Sequence, residues 1–227
     1  MKPSSELRVR LETGAATTAL VYLADERAAA SLILAHGAGA GQRSAFMVDF
    51  ARGIAGLGID VITFDFSYIT EKRRIPDRPP ALEACYRAVM ESVRRDIESS
   101  RQFLFIGGKS MGGRIATQIA AADRDLPAAG LVLLGYPLHP PGRPIQLRAA
   151  RLPAVQRPML FVQGSRDSFG TPAELGSVLT GLSPAPTVHV VDGGDHSLKV
   201  SRADPLVPVR ENVQRTIVRW IESVIQR

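Results

Sequence analysis

One short segment of the chain could present a serine hydroxyl as a nucleophile. Gly108-Lys109-Ser110-Met111-Gly112 matches the Gly-x-Ser-x-Gly pattern, in which the serine stands on a sharp turn between a strand and a helix. The apolar run 103–106 leads into this segment, and a helical pattern follows from Gly113. Such a turn strains the backbone and brings it close to the helix, so its neighbours must be small. The segment predicts that Ser110 is a nucleophile.

This segment is compatible with two other interpretations. A glycine-rich loop before an ordinary helix would have the same composition and would have no chemical role. Gly-Gly-Lys-Ser also resembles the end of a phosphate-binding loop, but the glycine that such a loop requires further upstream is absent from the run 103–106. The phosphate-binding interpretation is therefore discarded, whereas the plain loop stays open.

A serine hydroxyl becomes a strong nucleophile only when a base takes its proton, and the chain has four histidines. His196 lies between the last predicted strand and the last predicted helix, where the base stands when the chain order is serine, acid, histidine. His189 falls within a strand pattern and is expected to be a packed or edge side chain. We therefore expect His196 to be the general base.

The acid that orients this base is expected to be Asp167. It follows the predicted strand 159–162, at the carboxyl end where the sites of open α/β sheets gather. A turn or cap residue would occupy the same position, which is the other interpretation. Asp192 and Asp195 are rivals, but both lie too near His196 in sequence for the expected place. No metal ligands are assigned.

Backbone amides are needed to stabilise the oxyanion that forms when a serine attacks a carbonyl group. One donor is expected to be the amide of Met111, and the other that of Ala38, with Gly39 as the near alternative. These two small residues lie in His36-Gly37-Ala38-Gly39-Ala40-Gly41, a loop whose backbone can approach a ligand closely. His36 is expected to brace that loop. Further candidates for contact with substrate are Gly39, Tyr68 and His139.

The elements that must position these residues alternate between strands and helices. Six nearly continuous apolar runs are typical of strands buried on both faces, at 32–35, 61–64, 103–106, 131–134, 159–162 and 188–191. Apolar residues spaced by three or four predict helices around 47–57, 82–97 and 213–224. The runs 7–11 and 19–23 flank Thr13-Gly14 and predict an antiparallel hairpin at the sheet edge. The pattern predicts one α/β domain over residues 1–227, with about eight mostly parallel strands between two layers of helices.

The composition limits the classes of partner and location. The chain has 227 residues, a net charge of +6 and one cysteine, which excludes an internal disulfide. Its basic residues are spread along the chain without a nucleic-acid-binding motif, so no nucleic-acid partner is expected. No apolar run reaches the length of a membrane span, and the N-terminus lacks the pattern of a signal peptide. We expect a cytoplasmic protein with no membrane partner.

The residues above resemble the α/β-hydrolase superfamily along nearly the whole chain. The segments 107–114 and 135–142 look like its small dienelactone-hydrolase-like branch, although Ser110 stands where dienelactone hydrolases have cysteine. The resemblance implies an α/β-hydrolase fold and hydrolysis of a carboxylic ester or thioester of a small acyl substrate, without a cofactor. Many relatives have a helical lid, but the Pro-rich segment 137–158 is too short for one, so an open site without a large cap is expected.

Other functions are compatible with the same residues. A non-catalytic interaction module could use the same fold, and an acyltransferase could use the same site with a different acceptor. The segment 137–158, predicted to be a loop like 70–80, contains arginines that could hold a carboxylate or phosphate of the substrate, or could simply be solvated. These are Arg143, Arg148, Arg151 and Arg157.

Overall fold

The computed structural model describes residues 3–200 and 206–226, and in these residues eight strands form one sheet in the order β1-β2-β4-β3-β5-β6-β7-β8. The strands are β1 (Ser5–Arg10), β2 (Ala16–Tyr22), β3 (Ser31–Ala35), β4 (Asp60–Phe64), β5 (Leu104–Lys109), β6 (Gly130–Leu134), β7 (Met159–Gly164) and β8 (Thr187–Val191). The helices are α1 (Ala45–Ala55), α2 (Ser67–Thr70), α3 (Pro79–Asp96), α4 (Ser99–Gln102), α5 (Met111–Ala122), α6 (Pro172–Leu179) and α7 (Leu206–Ile225).

The sheet has the mostly parallel arrangement that the sequence predicts. β1 and β2 form the antiparallel hairpin at one edge, and β2 also pairs antiparallel with β4. All pairings from β4 through β8 are parallel. The prediction is wrong for the last strand in one respect, because Val188 and Val190 are 37% and 45% exposed. β8 is the other edge strand, so only part of it is covered.

Helices pack on both faces of the sheet, and each face has its own apolar core. Residues of α3 and α5 belong to one core, whereas α1 and α7 pack on the opposite face. The three predicted helical patterns correspond to α1, α3 and α7. In α7, Trp220 packs edge-on against Phe105 of β5, with 5.9 Å between ring centroids.

The two segments predicted to be loops, 70–80 and 137–158, are mostly loops in the structure. The first ends earlier than expected, because Pro79 and Pro80 begin α3, where a proline loses no helical hydrogen bond. The segment 137–158 contains only the short 3₁₀ turn Leu152–Ala154, so this segment forms no helical lid. In the part of the chain that is described, no helix combines the length and apolarity needed to cross a membrane.

Candidate active site

Ser110 stands on a strained turn between β5 and α5. Its φ of 50° and ψ of −114° lie in a region that residues with a side chain rarely occupy. The turn is possible because its neighbours have no side chain: a Cβ added at Gly112 would lie 2.7 Å from the carbonyl carbon of Ala35. Hydrogen bonds hold the turn from both sides, since the amide of Ser110 donates to Leu134 O and the amide of Arg114 donates to Ser110 O.

His196 and Asp167 meet Ser110 in one hydrogen-bonded chain, although 86 residues separate the serine from the histidine. Nε2 of His196 lies 2.9 Å from Oγ of Ser110. Nδ1 lies 2.9 and 3.0 Å from the two carboxylate oxygens of Asp167, which is only 2% exposed. The structure thus brings together the three residues that the sequence predicts for nucleophilic catalysis, from the carboxyl ends of β5, β7 and β8.

The carboxylate of Asp167 is held by donors on both oxygens. The amide of Phe169 donates to Oδ1 over 2.8 Å, and the side-chain amide of Gln163 donates to Oδ2 over 2.9 Å. Gln163 is fully buried, and its side-chain oxygen Oε1 accepts from the backbone amide of Tyr136. Sequence reasoning missed Gln163, although a lone polar residue near the end of an apolar strand is a usable signal.

The rival carboxylates serve the local backbone instead of the imidazole. Oδ1 of Asp195 accepts from the amides of Ser197 and Lys199, over 2.7 and 3.0 Å. Oδ1 of Asp192 accepts from the hydroxyl of Ser165 and from the backbone amide of Gly193. Both residues are exposed and shape the loop that ends at His196.

Two further residues, which the sequence did not indicate, restrain His196. The ring of Phe169 stacks on the imidazole with 4.0 Å between centroids. Nζ of Lys109 donates to the backbone carbonyl of His196 over 3.0 Å and lies 4.8 Å from the ring centroid of Phe46. Burial lowers the pKa of Lys109 to about 8, because the charged ammonium loses hydration there.

The loop after β3 lies against Ser110, and its conformation is fixed from behind. A Cβ added at Gly37 would be 3.6 Å from Cβ of Ser110. His36 is fully buried, and its Nε2 accepts from the amide of Phe66, so Nδ1–H donates to Gly37 O over 2.7 Å. Burial also lowers the pKa of His36, which keeps the ring neutral. His36 therefore braces the loop, as expected from the sequence.

Two of the expected substrate contacts need correction. Tyr68 is fully buried, and its hydroxyl donates to the carbonyl of Ala38 over 3.0 Å, so it supports the loop from within. His139 is also buried; its Nδ1–H donates to Pro140 O, and its Nε2 lies 3.6 Å from a carboxylate oxygen of Glu174. Neither residue lines the cavity at Ser110, whereas Gly39 does. The sequence placed all three near the site but could not show which way the side chains of Tyr68 and His139 point.

The hydroxyl of Ser110 opens into a cavity of about 620 Å³ that Met111 and Ala38 also line. Within the described residues, no group of three or more histidine, cysteine or acidic side chains could hold a metal ion. Among the described residues that line the wall, the charged groups are mostly basic, namely Lys109, Arg114, Arg148, Lys199 and Arg210, against one carboxylate, that of Asp77. Of the arginines in the segment 137–158, only Arg148 reaches this cavity.

Known proteins share this architecture. A family model described as an alpha/beta hydrolase domain matches residues 28–225. A serine hydrolase without lid from Xanthomonas campestris has a TM-score of 0.75 at 23% identity, covering 95% of this chain and 94% of its own. Est1E from Butyrivibrio proteoclasticus has a TM-score of 0.76 at 13% identity, covering 99% and 100%. Dienelactone hydrolase from Anabaena variabilis has a TM-score of 0.74 at 16% identity, covering 96% and 97%.

Proposed function

Because this chain belongs to the α/β-hydrolase family, we propose that it is a serine hydrolase that cleaves a carboxylic ester or thioester of a small substrate through an acyl-enzyme. The observation that supports this most directly is the hydrogen-bonded chain from Asp167 through His196 to Ser110. Its parts have the order and the roles of a catalytic triad: a buried acid, an oriented imidazole and a serine on a strained turn.

In the proposed reaction, Oγ of Ser110 attacks the carbonyl carbon of the substrate while Nε2 of His196 takes the serine proton. The tetrahedral intermediate then collapses, its leaving group receives that proton from Nε2, and the acyl group stays on Ser110. A water molecule attacks the acyl-enzyme, again with His196 as the base, and releases the acid and the free serine. Asp167 stabilises the imidazolium that forms in each step, and it keeps Nδ1 protonated.

The negative charge of each intermediate is proposed to lie on an oxygen near the N-terminus of α5. The amide of Met111 is the first of that helix, so it has no acceptor within the helix and is free to bind the oxyanion. The helix dipole adds a favourable potential at the same end. The amide of Ala38 is the proposed second donor, since Tyr68 and His36 hold the loop in which it lies.

Covalent labelling tests this proposal without knowledge of the substrate. A fluorophosphonate is expected to add once to the protein, at Ser110, and Ser110→Ala should abolish labelling and lower ester turnover by about 10⁶. Ser197→Ala is the matched control, because Ser197 also lines the cavity but is outside the hydrogen-bonded chain. Labelling that persists in the Ser110→Ala variant would refute the assignment. A product that carries the acyl group on an added alcohol or amine would instead indicate acyl transfer.

A further inference from the structure

Two arginines lie side by side in the wall of the active-site cavity, although they are distant in sequence. Arg114 is in the first turn of α5, and Arg148 is in the segment 137–158 that follows β6. Both line the cavity at Ser110 and also a smaller cavity of about 210 Å³ beside it. Both residues therefore belong to the wall that the two cavities share, and the backbone of Arg114 is about one helical turn, or about 6 Å along the helix axis, from that of Ser110.

Within the described residues, this pair has no acidic partner, whereas two other charged side chains of the same wall form ion pairs. Arg210 is paired with Asp49 over 2.6 Å, and the cavity's one carboxylate, Asp77, is paired with Arg73 over 2.7 Å. By contrast, Nε of Arg114 is buried without a hydrogen-bond partner. Burial, and then the neighbouring charge of Arg148, lower the pKa of Arg114, which agrees with two cations held together without a counter-charge.

The backbone holds both arginines in place independently of their charges. The amide of Arg148 donates to Leu138 O over 2.7 Å, and its carbonyl accepts from the hydroxyl of Tyr136 over 2.9 Å. The amide of Arg114 donates to Ser110 O within the first turn of α5. A cation is unfavourable at this end of a helix, where the dipole favours negative charge. An anion bound here would interact favourably with both guanidinium groups and with the helix.

We propose that Arg114 and Arg148 form a subsite for an anionic oxygen group, a carboxylate or a phosphate, on the substrate that Ser110 attacks. This inference rests on the proposed function and names the substrate class of that same site. A guanidinium matches both kinds of anion because its planar fork donates two parallel hydrogen bonds to them. The preferred substrate is thus an ester or thioester with a second, ionised group a short spacer away from the reacting carbonyl.

The test compares charged and neutral esters of similar size. 4-Nitrophenyl hydrogen glutarate and the 4-nitrophenyl ester of 4-phosphonobutanoate are compared with 4-nitrophenyl pentanoate, and 4-acetoxybenzoate is compared with phenyl acetate. The last pair moves the anion to the leaving group. At low salt, kcat/KM is expected to be about tenfold or more higher for an anionic ester, as charge-assisted hydrogen bonds predict. The relative values for the carboxylate and the phosphonate identify the anion that the subsite accepts.

Variants assign the preference to these residues. Arg148→Gln keeps the backbone hydrogen bonds of position 148, and it should abolish the anionic preference. Arg148→Lys keeps the charge without the planar fork, so an intermediate preference is expected. Arg143→Gln removes the same charge from an exposed position of the same segment and should retain the preference. An equal loss in Arg143→Gln and Arg148→Gln would overturn the subsite in favour of a general electrostatic effect.

The remaining outcomes separate this inference from the proposed function. Ser110-dependent hydrolysis of neutral esters with no anionic preference in any pair would overturn the subsite and leave the hydrolase intact. If no ester is cleaved, glutarate and inorganic phosphate are titrated calorimetrically into the unmodified protein and Arg148→Gln. Binding to the unmodified protein that is lost in Arg148→Gln would support the subsite even if the hydrolase proposal failed. No binding to the unmodified protein, or equal binding to Arg148→Gln, would overturn the subsite.

Discussion

Replacing Asp167 by asparagine removes a charge and keeps the shape, and the structure predicts two separate losses. Both carboxylate oxygens accept hydrogen bonds from fixed donors, the amide of Phe169 on one and the side chain of Gln163 on the other. An asparagine has one acceptor oxygen and one NH₂ group. In either orientation, the NH₂ group faces a donor over about 2.8–2.9 Å, so one buried hydrogen bond is replaced by a repulsive contact.

The first loss is in catalysis and the second in stability. Without the carboxylate, the imidazole of His196 is no longer held with its proton on Nδ1, and its charged form loses its counter-ion, so turnover should fall by about 10⁴. Losing one buried hydrogen bond and gaining a contact between two donors should lower the free energy of unfolding by about 1–3 kcal/mol. A catalytic loss without a stability loss would mean that Gln163 or Phe169 can reorient.

The assay combines the rate of fluorophosphonate labelling with urea unfolding, since neither requires the natural substrate. Asp195→Asn is the matched control, because a single oxygen, Oδ1, accepts both of its backbone hydrogen bonds and an asparagine can keep that oxygen. Its labelling rate should stay within a few-fold of the unmodified protein. If Asp195→Asn is as damaging as Asp167→Asn, or if Asp167→Asn loses less than tenfold, the assignment of the acid is wrong.

The remaining predictions concern the turn, a buried cation and the substrate. Gly112→Ala should lower the free energy of unfolding by at least about 1–3 kcal/mol in urea, because the new Cβ would overlap the carbonyl of Ala35. Gly176→Ala is the control, since Gly176 lies on α6 with open space around it, and it should raise the free energy of unfolding by about 0.5–1 kcal/mol. Since the pKa of Lys109 falls from 10.5 unfolded to about 8 folded, the unfolded chain binds more protons between these values, and stability from this group rises with pH in that window. Relative to Lys109→Met, the free energy of unfolding of the unmodified protein should increase by about 1–2 kcal/mol between pH 8 and 10.5. A pKa unit is worth about 1.4 kcal/mol, and the full shift is reduced because part of the side chain is solvated. No change of this difference with pH would contradict the prediction. Butyrate esters should have a higher kcat/KM than dodecanoate esters. In an open site the far methylenes of the long acyl chain stay in water and do not gain the ~0.8 kcal/mol that each would gain on burial. The reverse order would exclude the open-site explanation.

Much of the fold and of the candidate site was predictable because the relevant signals are local. A buried parallel strand must be apolar on both faces, so the sheet was visible as a series of short apolar runs. The turn at Ser110 requires small neighbours within a few residues, so it appears as a contiguous motif. Ser110, Asp167 and His196 each follow a predicted strand, and the topology places the carboxyl ends of parallel strands at one edge of the sheet.

The support around these residues depended on side-chain directions that no local pattern specifies. Tyr68 and His139 follow the carboxyl ends of β4 and β6, at the edge of the sheet where the site lies, yet both side chains are buried and bind backbone groups.

The sequence by itself determined the alternating strands and helices and the candidates for catalysis, because buried strands and a strained turn leave local patterns. Only the tertiary structure decided what holds and surrounds them. Gln163 reaches Asp167 through the interior, and Phe169 stacks on an imidazole from a different loop. Arg114 and Arg148 line one cavity because α5 packs beside the segment that follows β6, and only three dimensions show that no acidic partner lies beside them among the described residues. Such contacts join distant parts of the chain through packing, which is a property of the whole fold.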